Sequence, residues 1–187
     1  PSATIGSVGS YAVVATTTLI RIFYRNSFGT WVLVGSDPWT KSRPTIVGTA
    51  SNPSFAGTAA ITINGTSVTV NSSDTVTDVA STINGLSIPG VTAASRDLKL
   101  EIYSDGTSSG ADDSSLGGPV LIGGDATRLG ELGIAVGTYY PPALQIGKHT
   151  SIPEWKSGDT YTRPTGSIWL KTTTPNLGAS LILKKWN

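Results

Sequence analysis

The chain has 187 residues, including 22 Gly, 11 Pro and 49 Ser or Thr, and only 13% are charged, about half the ~25% usual in soluble domains. Thirteen basic and 12 acidic side chains leave a net charge of +1, so no global field favours nucleic acid or an anionic surface. Cysteine is absent and His149 is the sole histidine, which excludes a thiol nucleophile, a disulfide framework and a cysteine zinc site.

The first 15 residues lack a basic start ahead of an apolar run, so they do not read as a secretory signal. No stretch approaches ~20 consecutive apolar residues, so no membrane span is expected. The chain starts at Pro1, contains no methionine, and carries apolar patterning to both ends. It is therefore expected to be a piece cut from a longer polypeptide.

Residues 1–47 read as an N-terminal β-hairpin region. Leu19 to Arg25 and Trp31 to Val34 are rich in β-branched and aromatic residues, and Asn26 to Thr30 form a Gly-containing turn between them. Alternation sets Ile20, Ile22 and Tyr24 on one face with Arg21 and Arg25 opposite. Gly35-Ser36-Asp37-Pro38 then breaks the strand.

Residues 48–138 hold the most regular pattern. Ala59 to Ile63, Asn64-Gly65 and Thr66 to Val70 predict a hairpin, because Asn-Gly suits the two positive-φ positions of a type I′ turn. Thr75-Val76-Thr77-Asp78 has the form of a capping box. Val76, Val79, Ala80, Ile83 and Leu86 follow at helical spacing, and Asn84-Gly85 offers a left-handed stop. Val91 to Ser95 and Leu98 to Tyr103 predict a strand pair around Arg96-Asp97, with Leu98, Leu100 and Ile102 inward and Lys99 and Glu101 toward solvent. After the polar loop from Ser104 to Gly118, Val120 to Ile122 predict a strand. Asp125 then caps a short helix carrying Leu129, Leu132 and Ile134.

Residues 139–187 return to β. Tyr139-Tyr140-Pro141-Pro142 read as a linker or exposed ledge, and Ser167 to Lys171 with Leu181 to Trp186 flank a turn at Pro175 to Gly178. A lone hairpin is marginal in water. The two end hairpins are therefore expected to pack in one sheet or sandwich. The fold class is then mainly β with a small α+β part: sandwich-like flanks around an inserted α+β module at 48–138.

The run Ala60-Ile61-Thr62-Ile63-Asn64-Gly65-Thr66-Ser67-Val68-Thr69-Val70, with Asp74 to Ala80 and Ile83-Asn84, resembles the IN motif of flagellar hook-associated proteins and flagellins. The order continues through Gly90 to Ala94, Leu98 to Tyr103 and Leu129-Gly130-Glu131-Leu132-Gly133-Ile134, so the resemblance covers most of 58–138. That module recurs in surface assemblies, including virion proteins of tailed bacteriophages, and implies an assembly part rather than a chemistry. Trp31 to Trp39 and Gly166 to Thr173 look like segments of phage structural proteins. The long heptad-patterned terminal helices of flagellins are not in this sequence, which favours a virion component.

Catalytic signatures are sparse. His149, in Gly147-Lys148-His149-Thr150-Ser151, reads as a loop histidine more readily than as a general base. No H-E-x-x-H or P-loop sequence occurs, and the single G-x-S-x-G match, Gly106-Thr107-Ser108-Ser109-Gly110, falls in the polar loop and not at a strand-to-helix turn. Asp105, Asp112 and Asp113 share one loop but match no EF-hand spacing, and aspartates collect in loops for turn-forming reasons. The three glutamates, Glu101, Glu131 and Glu154, show no pairing of the kind a glycosidase needs. No catalytic residue, metal or cofactor is therefore assigned.

Trp39, Tyr139, Tyr140 and Trp155 lie beside Pro or turn residues, where rigid aromatics serve as contact anchors or cap a local core. Two functions follow. One is a non-catalytic structural subunit of a tailed-bacteriophage particle, in its tail, baseplate or capsid surface, touching copies of itself or neighbouring virion proteins. The other is a host-surface adhesin that binds glycans through those aromatics. Both place the chain in the virion.

Overall fold

The structure, a computed structural model, describes residues 1–15, 20–107, 118–148, 167–172 and 181–185. The chain divides into two compact units, Pro1–Arg43 and Pro44–Asn187.

In the first unit the expected hairpin forms, and a further strand joins it. Strands β1 (Tyr11–Ala15), β2 (Ile20–Arg25) and β3 (Trp31–Leu33) make an antiparallel sheet in the order β1-β2-β3. The turn after β2 is held by Asn26, whose Oδ1 accepts from the amides of Phe28 (3.1 Å) and Thr30 (2.9 Å). Arg25 ties the N-terminal residues to this hairpin: its guanidinium donates to the carbonyls of Ala3 (2.7 Å), Ile5 (2.6 Å), Gly6 and Gly29 (3.2 Å). A planar five-donor fork can serve several carbonyls at once.

Gly35 to Pro38 end the strand as expected, but the same residues also start a helix, α1 (Asp37–Ser42). Ser36 caps it by accepting from the Trp39 amide (3.4 Å), and Pro38 sits in the first turn, where its missing N–H costs nothing. A Ser-x-Pro stretch satisfies both descriptions.

The second unit carries the α+β part. It contains β4 (Ile46–Val47), β5 (Ala59–Ile63), β6 (Thr66–Val70), α2 (Val76–Gly85), β7 (Val91–Arg96), β8 (Lys99–Ser104), β9 (Val120–Gly124), α3 (Ala126–Leu132), β10 (Gly137–Tyr139), β11 (Leu144–Lys148), β12 (Ile168–Thr172) and β13 (Leu181–Lys185). Four strands pair in the order β10-β9-β5-β6, three as β4-β8-β7, and three as β11-β12-β13. Among the described residues, only β11 and β12 run parallel.

The local signals in this unit form as read. Asn64 and Gly65 adopt φ of 50° and 79°, closing β5 on β6 with Ile63 opposite Thr66. At α2 the Thr75 hydroxyl accepts from the Asp78 amide (3.3 Å), while Asp78 accepts from the Thr75 amide (2.8 Å) and hydroxyl (2.7 Å). Those two bonds, the hydroxyl first, hold the Asp78 carboxyl below its usual pKa. Val76, Val79, Ala80 and Ile83 are buried, joining Ile61, Ile63, Val68, Val70, Leu100, Ile102, Leu129 and Leu132 in one cluster of 20 buried residues. Asp125 caps α3 by accepting from the Arg128 amide (2.7 Å).

Five expectations are corrected. Leu86 is exposed, because α2 runs through Gly85 and turns at Ser87, whose φ is 49°. Leu98 is also exposed: with Asp97 it forms a two-residue turn of positive φ, so Arg96 pairs with Lys99. Ile46 and Val47 pair with Ile102 and Glu101, which moves the first boundary from 47 to 43. Tyr139 pairs with Val120, so the module's sheet runs past 138. Of the one sheet or sandwich expected for the two end regions, the single sheet does not form, since they hydrogen-bond into separate sheets.

Candidate contact surfaces

The four proposed aromatic anchors separate once their burial is known. Trp39 is 1% exposed and Tyr140 is 4% exposed, and Pro141 and Pro142 beside Tyr140 are buried too, so neither an aromatic contact nor an exposed ledge forms there. Tyr139 is half-buried against the cluster, and its hydroxyl donates to the Ala135 carbonyl (2.8 Å). Burial pushes its pKa up. Proline beside an aromatic marks a helix start at Trp39 and the residues after β10 at Tyr140, and both rings are buried. Trp155, along with His149, Asp112, Asp113 and Glu154, lies outside the described residues.

Glu101 is the clearest departure from its expected exposure. It is 8% exposed, and its Oε2 accepts from Arg96 Nε (3.0 Å) and from the Tyr103 hydroxyl. Alternation places Glu101 and Tyr103 on one face of β8, and the β7 register brings Arg96 within reach. Burial, then the bond to Glu101, pushes the Tyr103 phenol up to about 12. That hydroxyl therefore stays a donor at neutral pH, and the carboxylate is engaged by two partners.

Arg128, 1% exposed, forms a second polar knot. It donates to the carbonyls of Gly57 (2.7 Å) and Ala56 (3.3 Å), lies 2.9 Å from a Glu131 oxygen, and stacks 4.7 Å from the Phe55 ring centroid. Glu131 in turn accepts from the Ala56 amide (3.1 Å). This pair latches the loop before β5 onto α3. Asp105 closes a turn, accepting from the Thr107 amide (2.8 Å). Among the described residues no three metal-ligating side chains cluster, and no helix is long and apolar enough to cross a membrane.

What remains on the surface is backbone and apolar side chain. Seven of the twelve large hydrophobics exposed among the described residues belong to the first unit: Ile5, Val8, Val13, Val14, Ile20, Phe28 and Leu33. Its sheet ends in β1, a five-residue edge without charge or proline.

In the second unit β6 is likewise a five-residue edge without charge or proline, while other edges are short or covered. Edge strand β4 has two residues and β10 three. The longer edge β7 is met by the side chain of Asn84, whose Oδ1 accepts from the Ala93 amide (2.8 Å) while its Nδ2 donates to the Ala93 carbonyl (2.9 Å). A primary amide reproduces the donor–acceptor pair of a neighbouring strand, so it occupies the place another chain would take. The sequence holds this residue in Ile83-Asn84, within the motif, but periodicity read it as a helix stop.

No protein-family model matches the chain, and no curated protein or solved structure matches it either.

Proposed function

We propose that this chain is a non-catalytic structural component of a tailed-bacteriophage particle and acts through contacts with copies of itself or neighbouring virion proteins. The observation that carries the reading is the concentration of exposed apolar side chains and an open strand edge in residues 1–43, beside a second unit whose core is well filled. The element order of 59–134, hairpin, helix, strand pair, strand and short helix, agrees with the order on which the resemblance to the hook-associated IN module rests.

The chemistry agrees with a contact role. Glu101 and Glu131 are engaged in structural knots, and Trp39 and Tyr140 are buried, which takes those two rings away from the glycan-binding alternative. The test is immuno-electron microscopy of purified particles with an antibody against the chain. Regular labelling at one part of the particle is expected. Particles that lack the chain by both labelling and mass spectrometry overturn the proposal.

A further inference from the structure

We propose that β1 pairs antiparallel with β1 of a second copy of this chain, about a two-fold axis at Val14, joining two three-stranded sheets into one of six. The inference deepens the contact-making reading and rests on it.

The ladder within the first unit determines which backbone groups face outward. The Ile22 carbonyl accepts from the Val34 amide (2.8 Å), so Ile22 directs its polar groups toward β3. In an antiparallel ladder such residues form the non-hydrogen-bonded pairs with the strand on the other side. Val13 stands opposite Ile22, and Ala15 opposite Ile20. The amides and carbonyls of Val13 and Ala15 therefore point away from β2, along the open edge. Val14, opposite Arg21, spends its own groups on β2.

A second β1 centred on Val14 matches this pattern. Val13 meets Ala15 of the other copy and Ala15 meets its Val13, each pair exchanging two backbone hydrogen bonds, while Val14 faces Val14. The partner is a copy because the edge is complementary to itself in charge and spacing. No residue from Ser10 to Ile20 is charged. The nearest charge is Arg21, and two Arg21 side chains would stand three strand spacings apart, about 14 Å, past the ~8 Å screening length of physiological salt. Val13, Val14 and Ile20 are 48%, 38% and 36% exposed, so the join covers apolar surface already in water.

The unit also needs the partner. Its 43 residues bury only Ile22, Tyr24, Asn26, Val34 and Trp39 among those described, with no disulfide to staple them. Units near ~40 residues without disulfides or metals ordinarily rely on association. Edges that stay unpaired are blunted by charge, proline, bulges or a cover. No charge or proline stands in β1, whereas on β7 the Asn84 amide takes up the backbone groups of Ala93.

The absence of cysteine makes the register testable in the full chain. In a non-hydrogen-bonded antiparallel pair the Cα atoms lie about 4.5 Å apart, within the span a disulfide bridges. Under mild oxidant, Val14→Cys should cross-link to a covalent dimer, and Val13→Cys, which faces Ala15, should cross-link far less. Val13→Pro removes one outward amide and spares the bonds to β2. It and Val14→Lys, which sets like charges face to face, should each weaken dimerisation about tenfold or more in analytical ultracentrifugation. Hydrogen exchange at Tyr24, which pairs with Val32 of β3, checks that the sheet stays folded in both variants.

Equal cross-linking at positions 13 and 14, or dimers unaffected by Val13→Pro and Val14→Lys in a folded sheet, overturns the β1 pairing while leaving self-contact through another surface standing. A chain monomeric at every concentration overturns the pairing too, and the particle labelling then decides the broader reading by itself.

Discussion

The two units solve the problem of a small β-rich fold in opposite ways. The second closes a 20-residue apolar cluster between sheet and helix and occupies its long β7 edge with an asparagine amide. The first lays three strands over five buried residues, fastens its N-terminal residues through Arg25, and leaves valines and an uncharged edge in water. A core of the first kind supplies its own stability. A sheet of the second kind buries little of its own surface, and that difference is the ground for proposing contact as the role of the first unit.

Matched core truncations bear on that contrast most strongly. Ile83→Ala, at a side chain with no exposed surface, should cost about 3–5 kcal/mol, the upper part of the range for buried isoleucine. Ile22→Ala in the first unit should cost about 2 kcal/mol, because a thin core collapses more readily around the lost atoms. Amide exchange at Val79 and at Tyr24 reads the two units separately. Equal costs would erase the difference between the cores.

Gly133→Ala should follow at about 2–4 kcal/mol, through backbone rather than packing. Gly133 ends α3 at φ 67°, and its carbonyl accepts from the Thr49 amide (3.1 Å). A Cβ there would lie 2.2 Å from Thr49 Oγ1 and 2.6 Å from the Ala50 nitrogen. Chemical denaturation would register the loss, and a cost under about 0.5 kcal/mol would mean that the loop yields freely.

These elements also mark how far the sequence was legible. The Asn64-Gly65 turn, the Thr75–Asp78 box, the α2 stripe up to Ile83 and the Asp125 cap are signals within a few residues of their effects. Each formed as read. The pairing of β5 with β9, some 60 residues away, and the parallel contact of β11 with β12 carry no local signature, since such contacts are chosen by tertiary packing. Glu101 looked solvent-facing because alternation reports which face a residue is on, and its Arg96 and Tyr103 partners became visible only with the register. Trp39 and Tyr140 turned out buried for a similar reason. A neighbouring proline shows that regular structure is interrupted at Trp39 and Tyr140 but not whether the ring is buried.

Asn84→Ala sharpens the comparison by converting a guarded edge into an open one. It leaves the Ala93 amide and carbonyl without their partner and should cost about 1–3 kcal/mol. The variant should also gain concentration-dependent association that Val13→Pro does not remove, because the new contact runs through β7. Sedimentation of Asn84→Ala and of the double variant checks both statements. A folded Asn84→Ala chain that associates no more than the parent would show that the side chain is a tether and not a guard.

The smallest expected effect is a pH dependence confined to the second unit. The Tyr103 phenol ionises at about 12 in the folded chain, raised first by burial and then by the Glu101 carboxylate, against an ordinary value of 10.0. A folded-state pKa above the unfolded one means that the stabilisation is fully present below pH 10 and is lost as pH rises through 12. Over that window the unfolded chain releases the tyrosine proton while the folded chain keeps it, so the second unit should lose stability with rising pH. Tyr103→Phe should flatten this dependence, although it also deprives Glu101 of one donor and so lowers stability modestly at neutral pH. Phenolate absorbance should show one fewer late-titrating tyrosine in the variant. The Tyr24 amide, in a unit that this carboxylate–phenol bond does not touch, should exchange without change between parent and variant. A Tyr103 that titrates with the ordinary phenols would break the link between its burial and the charge of Glu101.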